Sequence, residues 1–193
     1  MKCILVGIPN AGKSTLGRRA ADELGLPFYD TDELAVERMN PQSIFDMFRP
    51  SFFQRAIYEQ VNALIELSHT DESAIIATGA PLLSDAGCAD ILPKIGVVIH
   101  VRRSVDSARN DAIQRGGLTL VSVGDDGNAL KGSEINLSAR AVEEYASDLP
   151  LLEKISDFTL DNDGDINSGT DKLVALIRSI CKMQKRDVEY EDI

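Results

Sequence analysis

An apolar run, Cys3-Ile4-Leu5-Val6, leads straight into Gly7-Ile8-Pro9-Asn10-Ala11-Gly12-Lys13-Ser14-Thr15, which fits the pattern G-x-x-x-x-G-K-[ST], and helix-forming residues follow over 16–24. A buried strand that ends in a glycine turn and opens a helix aims several backbone N–H groups, and the positive end of the helix dipole, at one small volume. A polyphosphate suits that volume. In this reading Lys13 reaches the terminal phosphates as a point charge, and the Ser14 hydroxyl takes one coordination position on Mg2+. Gly7, Asn10, Ala11, Gly12, Lys13, Ser14 and Thr15 are therefore the candidate nucleotide-binding residues.

Further apolar runs recur with helical patterns between them: Ala74-Ile75-Ile76-Ala77, Val97-Val98-Ile99-His100-Val101, Phe158-Thr159-Leu160 and the shorter Phe28-Tyr29. Alternation of this kind predicts an α/β fold in which a parallel sheet is joined by crossover helices. Strands without polar alternation should be covered on both faces, and ligands should bind outside the carboxyl ends of the strands. The 50–68 stretch predicts a helix with Phe53, Ile57, Val61, Leu64 and Ile65 on one apolar face. The region from about 112 to 135, rich in glycine, aspartate and asparagine, reads as a lid over the nucleotide. We expect one domain over 1–181, followed by a charged tail over 182–193 that leaves the last helix.

Twenty basic against thirty-one acidic residues give a net charge of -11, which opposes attraction to nucleic-acid phosphates or an anionic membrane. A small molecule bearing a hydroxyl is the expected partner, with no nucleic acid, no membrane and a monomeric chain. The three cysteines are odd in number and widely spaced, which suggests neither a disulfide framework nor a metal cluster. A cytoplasmic protein is expected, since Met1-Lys2 passes directly into the first strand.

Chemistry-bearing residues follow the strands. Asp30 and Asp32 stand one residue apart at a strand-to-helix junction, where one carboxylate would serve Mg2+ and the other would orient or deprotonate an acceptor hydroxyl. Plain helix capping is the competing account of the pair. Thr78-Gly79-Ala80-Pro81 offers a glycine against which a ligand can approach the backbone, or an ordinary turn. Arg109 and Arg115 flank the start of the lid, where a guanidinium would close over phosphates; exposed helix arginines are the alternative. Asp161-Asn162-Asp163-Gly164-Asp165 has the look of a calcium loop, but its glycine falls at position four and Lys172 stands where a bidentate glutamate is required, so it reads as a turn. His69 and His100 stand alone.

The stretch from Gly7 to Asp32 closely resembles the start of the shikimate kinase family, with Asn10 in place of one family glycine. Weaker similarity continues through Ile44-Phe45, Ala77-Thr78-Gly79, Arg115 and the run from Pro150 to Asp157. The resemblance implies a three-layer α/β/α phosphate-loop fold with a five-stranded parallel sheet of the nucleoside-monophosphate-kinase-like type. It implies ATP and Mg2+, with Lys13 on ATP, Ser14 and Asp30 serving the metal, Asp32 on the acceptor hydroxyl, Gly79 beside the acceptor ring and Arg115 as the lid arginine. Lys13, Asp32 and Arg115 would be the catalytic residues, Arg109 would assist in nucleotide binding, and Asp32, Arg55 and Gly79 would contact the substrate.

The departures from the family pattern fall together. The family's F-R-x-x-E arginine grips the shikimate carboxylate, but here Phe53-Gln54-Arg55-Ala56-Ile57-Tyr58-Glu59 sets Arg55 one residue out of register, a rotation of about 100° on a helix. Asp148 occupies the place of a second carboxylate-binding arginine, and Gly79-Ala80-Pro81 replaces a triple glycine. The expected activity is transfer of the ATP γ-phosphoryl group to a small metabolite, shikimate first. Two alternatives stand beside it: a kinase for another small polar acceptor, and a nucleotide-binding regulatory protein that keeps the fold without the activity.

Overall fold

All five apolar runs become strands of one parallel sheet. A computed structural model describes residues 1–40, 50–80, 82, 86–116, 119–120 and 135–191. The strands are β1 (Lys2–Val6), β2 (Phe28–Asp30), β3 (Ala74–Ala77), β4 (Val97–Arg102) and, last in the chain, β7 (Phe158–Asp161). Their order across the sheet is β2-β3-β1-β4-β7, with β1 at the centre and Ile4 paired with Ile76 on one side and Val98 on the other. β1 and β3 are buried along their whole length, as their unbroken apolar runs require.

The helices are α1 (Lys13–Leu24), α2 (Thr31–Met39), α3 (Pro50–Ser68), α4 (Ala86–Ile95), α5 (Val105–Gln114), α6 (Leu137–Tyr145), α7 (Leu149–Ile155) and α8 (Ile166–Glu191). α1 packs on α8, α2 on α3, α4 on α7 and α5 on α6, giving a helical layer on each side of the sheet. Short polar side chains start several of them: Ser104 accepts from the Ser107 amide at the head of α5, and Asn136 accepts from the Ala139 amide at the head of α6. α1 ends at Gly25, whose φ of 64° suits a residue without a Cβ. The core gathers Ile4, Leu5, Leu16, Ile76, Leu92 and Ile99 from β1, β3, β4 and the helices above and below them.

Two expectations need adjustment. On α3, Phe53 and Ile65 are 44% and 41% exposed, whereas the polar Gln60 is 1% exposed. The face turned inward carries Ala63 and Leu64 together with Gln60, because Gln60 finds buried hydrogen-bond partners on α2. At the end of the chain, α8 runs on to Glu191, past the boundary that composition placed at 181. Most of the segment read as a lid lies outside the described residues, as do Ile44-Phe45 and Pro81. Of the lid segment, residues 112–114 close α5, and the two-residue strands β5 (Thr119–Leu120) and β6 (Ile135–Asn136) pair antiparallel at its ends.

Candidate active site

The glycine loop sits at the carboxyl end of the central strand, held by contacts from residues that follow β4 and β7. A Cβ on Gly7 would lie 2.6 Å from the Val101 carbonyl oxygen, and one on Gly12, where φ is 97°, would lie 2.6 Å from Asn162 Nδ2. Neither position admits a side chain. Asn10, with φ 59°, takes the left-handed conformation that asparagine tolerates better than most residues. Asn162, just after β7, donates to the Ala11 carbonyl at 2.7 Å, and Arg103, just after β4, donates to the Asn10 carbonyl at 3.2 Å. Carbonyls drawn aside in this way do not confront an incoming anion.

Lys13 is buried beneath the loop, its ammonium donating to the carbonyls of Gly7 at 2.8 Å and Ile8 at 3.0 Å. Burial pushes its pKa down to about 8, and the nearby charges of Asp32 and Asp30 oppose that shift. A lysine held so is ready to exchange two neutral carbonyls for phosphate oxygens.

Asp30 and Asp32 part company, and Asp30 takes the helix-cap place that was the competing account of the pair. Asp30 caps α2, its Oδ1 accepting from the amides of Asp32 at 3.0 Å and Glu33 at 3.5 Å. Asp32 instead faces the cavity beside Lys13. Its carboxyl is raised above the ordinary value, first by burial and then by the charge of Asp30, while Lys13 and a hydrogen bond from Gln60 pull it back. A chain of hydrogen bonds fixes it: the Gly79 amide donates to Thr31 Oγ1 at 2.9 Å, that hydroxyl donates to Gln60 Oε1 at 2.9 Å, and Gln60 Nε2 donates to Asp32 Oδ1 at 2.8 Å. Gly79 allows this closeness, since a Cβ there would collide with Asp32 Oδ1 and the Gln60 amide oxygen.

Two pockets border the loop. The larger, about 470 Å3, is lined by Asn10, Lys13, Ser14 and Asp32 from the donor side and by Phe53, Glu144 and Tyr145 opposite. The smaller, about 200 Å3, is lined by Gly12, Thr15, Arg103, Asp111, Arg115 and Asn162. Arg115, whose side chain is 67% exposed, stands on its rim 3.9 Å from Asp111. Two expected arginines are not brought in. Arg109 pairs with Glu143 across the contact of α5 and α6, and Arg55 leans outward toward Glu59 with 60% of its side chain exposed. Neither lines either pocket. Asp148 also stays out of the larger wall, where Glu144, one helical turn earlier, takes a place instead.

Gln60, Arg103 and Asn162 were not singled out from the sequence as working residues. Asn162 belongs to the run that mimics a calcium loop, and the structure gives the other acids there local work. Asp163 accepts from the Ser104 amide, and Asp165 accepts from the amides of Asn167 and Ser168 at the head of α8. Among the described residues no three His, Cys, Asp or Glu side chains gather as a metal cluster. The oxygen donors near the loop still fit a hard cation shared with phosphates: Ser14 faces the larger pocket, and Asp30 lies behind with one carboxylate oxygen committed to the cap.

A family model described as shikimate kinase matches residues 9–178. The shikimate kinase of Alteromonas mediterranea is 30% identical over 165 residues, covering 82% of this chain and 85% of that protein. The shikimate kinase of Acinetobacter baumannii, solved in complex with shikimate, superposes with a TM-score of 0.71 at 22% identity, over 92% of this chain and 93% of that one. A gluconokinase from Sinorhizobium meliloti gives a TM-score of 0.58 at 14% identity, over 96% of each chain. The two structural likenesses speak for the fold, a three-layer phosphate-loop architecture around a five-stranded parallel sheet. With the family model spanning most of the chain and glycine loop, buried lysine and strand-end aspartates in one place, the protein belongs to the shikimate kinase family of phosphotransferases.

Proposed function

We propose that this protein transfers the γ-phosphoryl group of ATP to a hydroxyl of a small metabolite. The observation that carries the reading is a single pocket in which Lys13 and Ser14 of the glycine loop face Asp32, a carboxyl with a raised pKa held by Gln60. Lys13 would leave the Gly7 and Ile8 carbonyls for the phosphates, and the α1 amino end would add its dipole. Ser14, with Asp30 acting through water, would hold Mg2+, which when bound supplies charge neutralisation on the phosphate oxygens.

Asp32 would accept a hydrogen bond from the acceptor hydroxyl, orient its oxygen toward the phosphorus and take the proton as transfer proceeds. Gly79 would let the acceptor lie close to that carboxylate, and Arg115 would approach the phosphates from the rim of the neighbouring pocket. No covalent intermediate on the protein is needed. Positioning and charge neutralisation carry the step.

The test is ADP release with ATP and Mg2+ across a panel of hydroxylated acceptors that begins with shikimate. Acceptor-dependent ADP release that disappears in Lys13→Ala supports the reading. An ADP signal that no acceptor raises above basal hydrolysis, or a Lys13→Ala protein of unchanged turnover, defeats it.

A further inference from the structure

The glycine loop is shaped by side chains that grip its carbonyls, and an inference about them rests on the phosphotransfer reading above. Lys13 holds the Gly7 and Ile8 carbonyls, Arg103 Nη1 donates to that of Asn10 at 3.2 Å, and Asn162 Nδ2 donates to that of Ala11 at 2.7 Å. Nucleotide removes the first of these grips, because the Lys13 ammonium leaves for the phosphates. The loaded loop then depends on Arg103 and Asn162.

Arg103 holds the more demanding position. Asn10 has φ 59°, a conformation that costs a residue with a Cβ what glycine escapes. The peptide joining Asn10 to Ala11 is pinned at both ends, its N–H donating to the Ile8 carbonyl at 3.2 Å and its carbonyl accepting from Arg103. Without Arg103 that carbonyl is free to turn its negative end toward the phosphates. The Arg103 side chain is only 16% exposed, and its Nη2 lies 2.7 Å from Asp111 Oδ2 on α5. The same Asp111 oxygen stands 3.9 Å from Arg115 Nη2, and all three side chains line the smaller pocket beside Gly12.

We propose that Arg103 is a positioning residue for nucleotide binding, steered by Asp111: it keeps the Asn10 carbonyl turned from the phosphates after Lys13 has released its own. The planar guanidinium serves carbonyl and carboxylate at once through two different nitrogens. Asp111 then has an effect opposite in sign to its charge. Removing an acid from beside a polyanion and Arg115 should tighten binding by Coulomb's law, whereas removing the acid that steers Arg103 should weaken it.

Mg2+ with a non-hydrolysable ATP analogue is titrated calorimetrically into wild type, Arg103→Met, Asp111→Ala and the double variant, with the melting temperature of each recorded without nucleotide. Arg103→Met should bind the analogue about tenfold or more weakly, the scale of one hydrogen bond from a charged donor. Asp111→Ala, at a helix side chain 29% exposed, should also bind more weakly, and the double variant no more weakly than Arg103→Met alone. In turnover by Arg103→Met, KM for ATP should rise by a larger factor than kcat falls.

An Asp111→Ala protein that binds the analogue as tightly as wild type, or more tightly, overturns the proposal. So do losses that add in the double variant, or an Arg103→Met protein that melts earlier yet binds unchanged. The phosphotransfer reading fails on a separate signal, when the wild-type protein takes up no analogue or forms no acceptor-dependent ADP.

Discussion

Gln60 Nε2 lies 2.8 Å from Asp32 Oδ1, and the other end of the same amide accepts from Thr31 Oγ1. Gln60 is 1% exposed, so this amide is a buried bridge between α3 and the carboxylate proposed to meet the acceptor. Both ends of the amide are satisfied, which fixes which way it faces: the oxygen toward the Thr31 hydroxyl, the nitrogen toward the aspartate.

Gln60→Leu should break the bridge without a large change of volume. The buried Thr31 hydroxyl loses its acceptor, at about 1–3 kcal/mol for an unsatisfied buried group, whereas the exposed Asp32 carboxylate turns to solvent. Urea denaturation is expected to register that loss. Because the Gln60 hydrogen bond holds the Asp32 pKa down, its removal should also move the acid limb of the kcat profile toward higher pH. A destabilised variant whose pH profile stays in place would mean that Gln60 only packs.

Asp32 itself should be costly to the folded state at neutral pH. Its folded pKa lies above the ordinary 3.8, so the stability it lends is present below that value and is lost as pH rises through the raised value. Asp32→Asn is thus expected to melt at or above the wild-type temperature at neutral pH, with the advantage shrinking as pH falls toward 3.8. Phosphotransfer by the same variant should drop by about 100-fold or more. Stability lost together with activity would assign Asp32 a structural role.

The parts of this site that were legible in the sequence are those written within a few residues. Strand, glycine loop and helix stand side by side in the chain, and Asp30 and Asp32 stand at the next strand end, so local pattern sufficed for both. Gln60 reaches Asp32 across 28 residues, Arg103 reaches Asn10 across 93, and Asn162 reaches Ala11 across 151. Nothing in a single sequence announces such pairings. Gln60 did carry one signal: a polar residue three positions before Ala63 and four before Leu64 sits on the face that turns inward. The two arginines outside the pocket linings show the converse. Arg55 and Arg109 each have a glutamate within reach on a helix surface, and a nearby opposite charge in solvent holds a long side chain as readily as a distant ligand.

Nucleotide binding should be accompanied by proton uptake. Lys13 titrates at about 8 in the free protein, because burial opposes its charge. Phosphate oxygens would favour the charged form and raise that value, so the bound state holds a proton that the free state has begun to release. Affinity for ATP is expected to weaken as pH rises beyond about 8. Calorimetry in two buffers of different ionisation heat would read the uptake directly. Equal heats in both buffers at a pH near 8.5 would contradict it.

His100 is fully buried in β4, and neither of its ring nitrogens has a hydrogen-bond partner among the described residues. Burial is the largest influence and lowers its pKa below 6.5; Arg102 and Lys13 push the same way, and Glu153 and Asp161 oppose them. The unfolded chain therefore takes up a proton before the folded protein does. The stability that the neutral ring contributes is complete above 6.5 and is lost as pH falls through the lowered folded value. One such group makes the folding free energy fall by at most about 1.4 kcal/mol per pH unit within that window. His100→Leu fills the site with an apolar side chain that has nothing to titrate. Measured by urea unfolding at a series of pH values below 6.5, the variant should gain on the wild type as pH drops. Stability curves that run parallel through that range would show that His100 keeps its proton as readily in the sheet as in the unfolded chain.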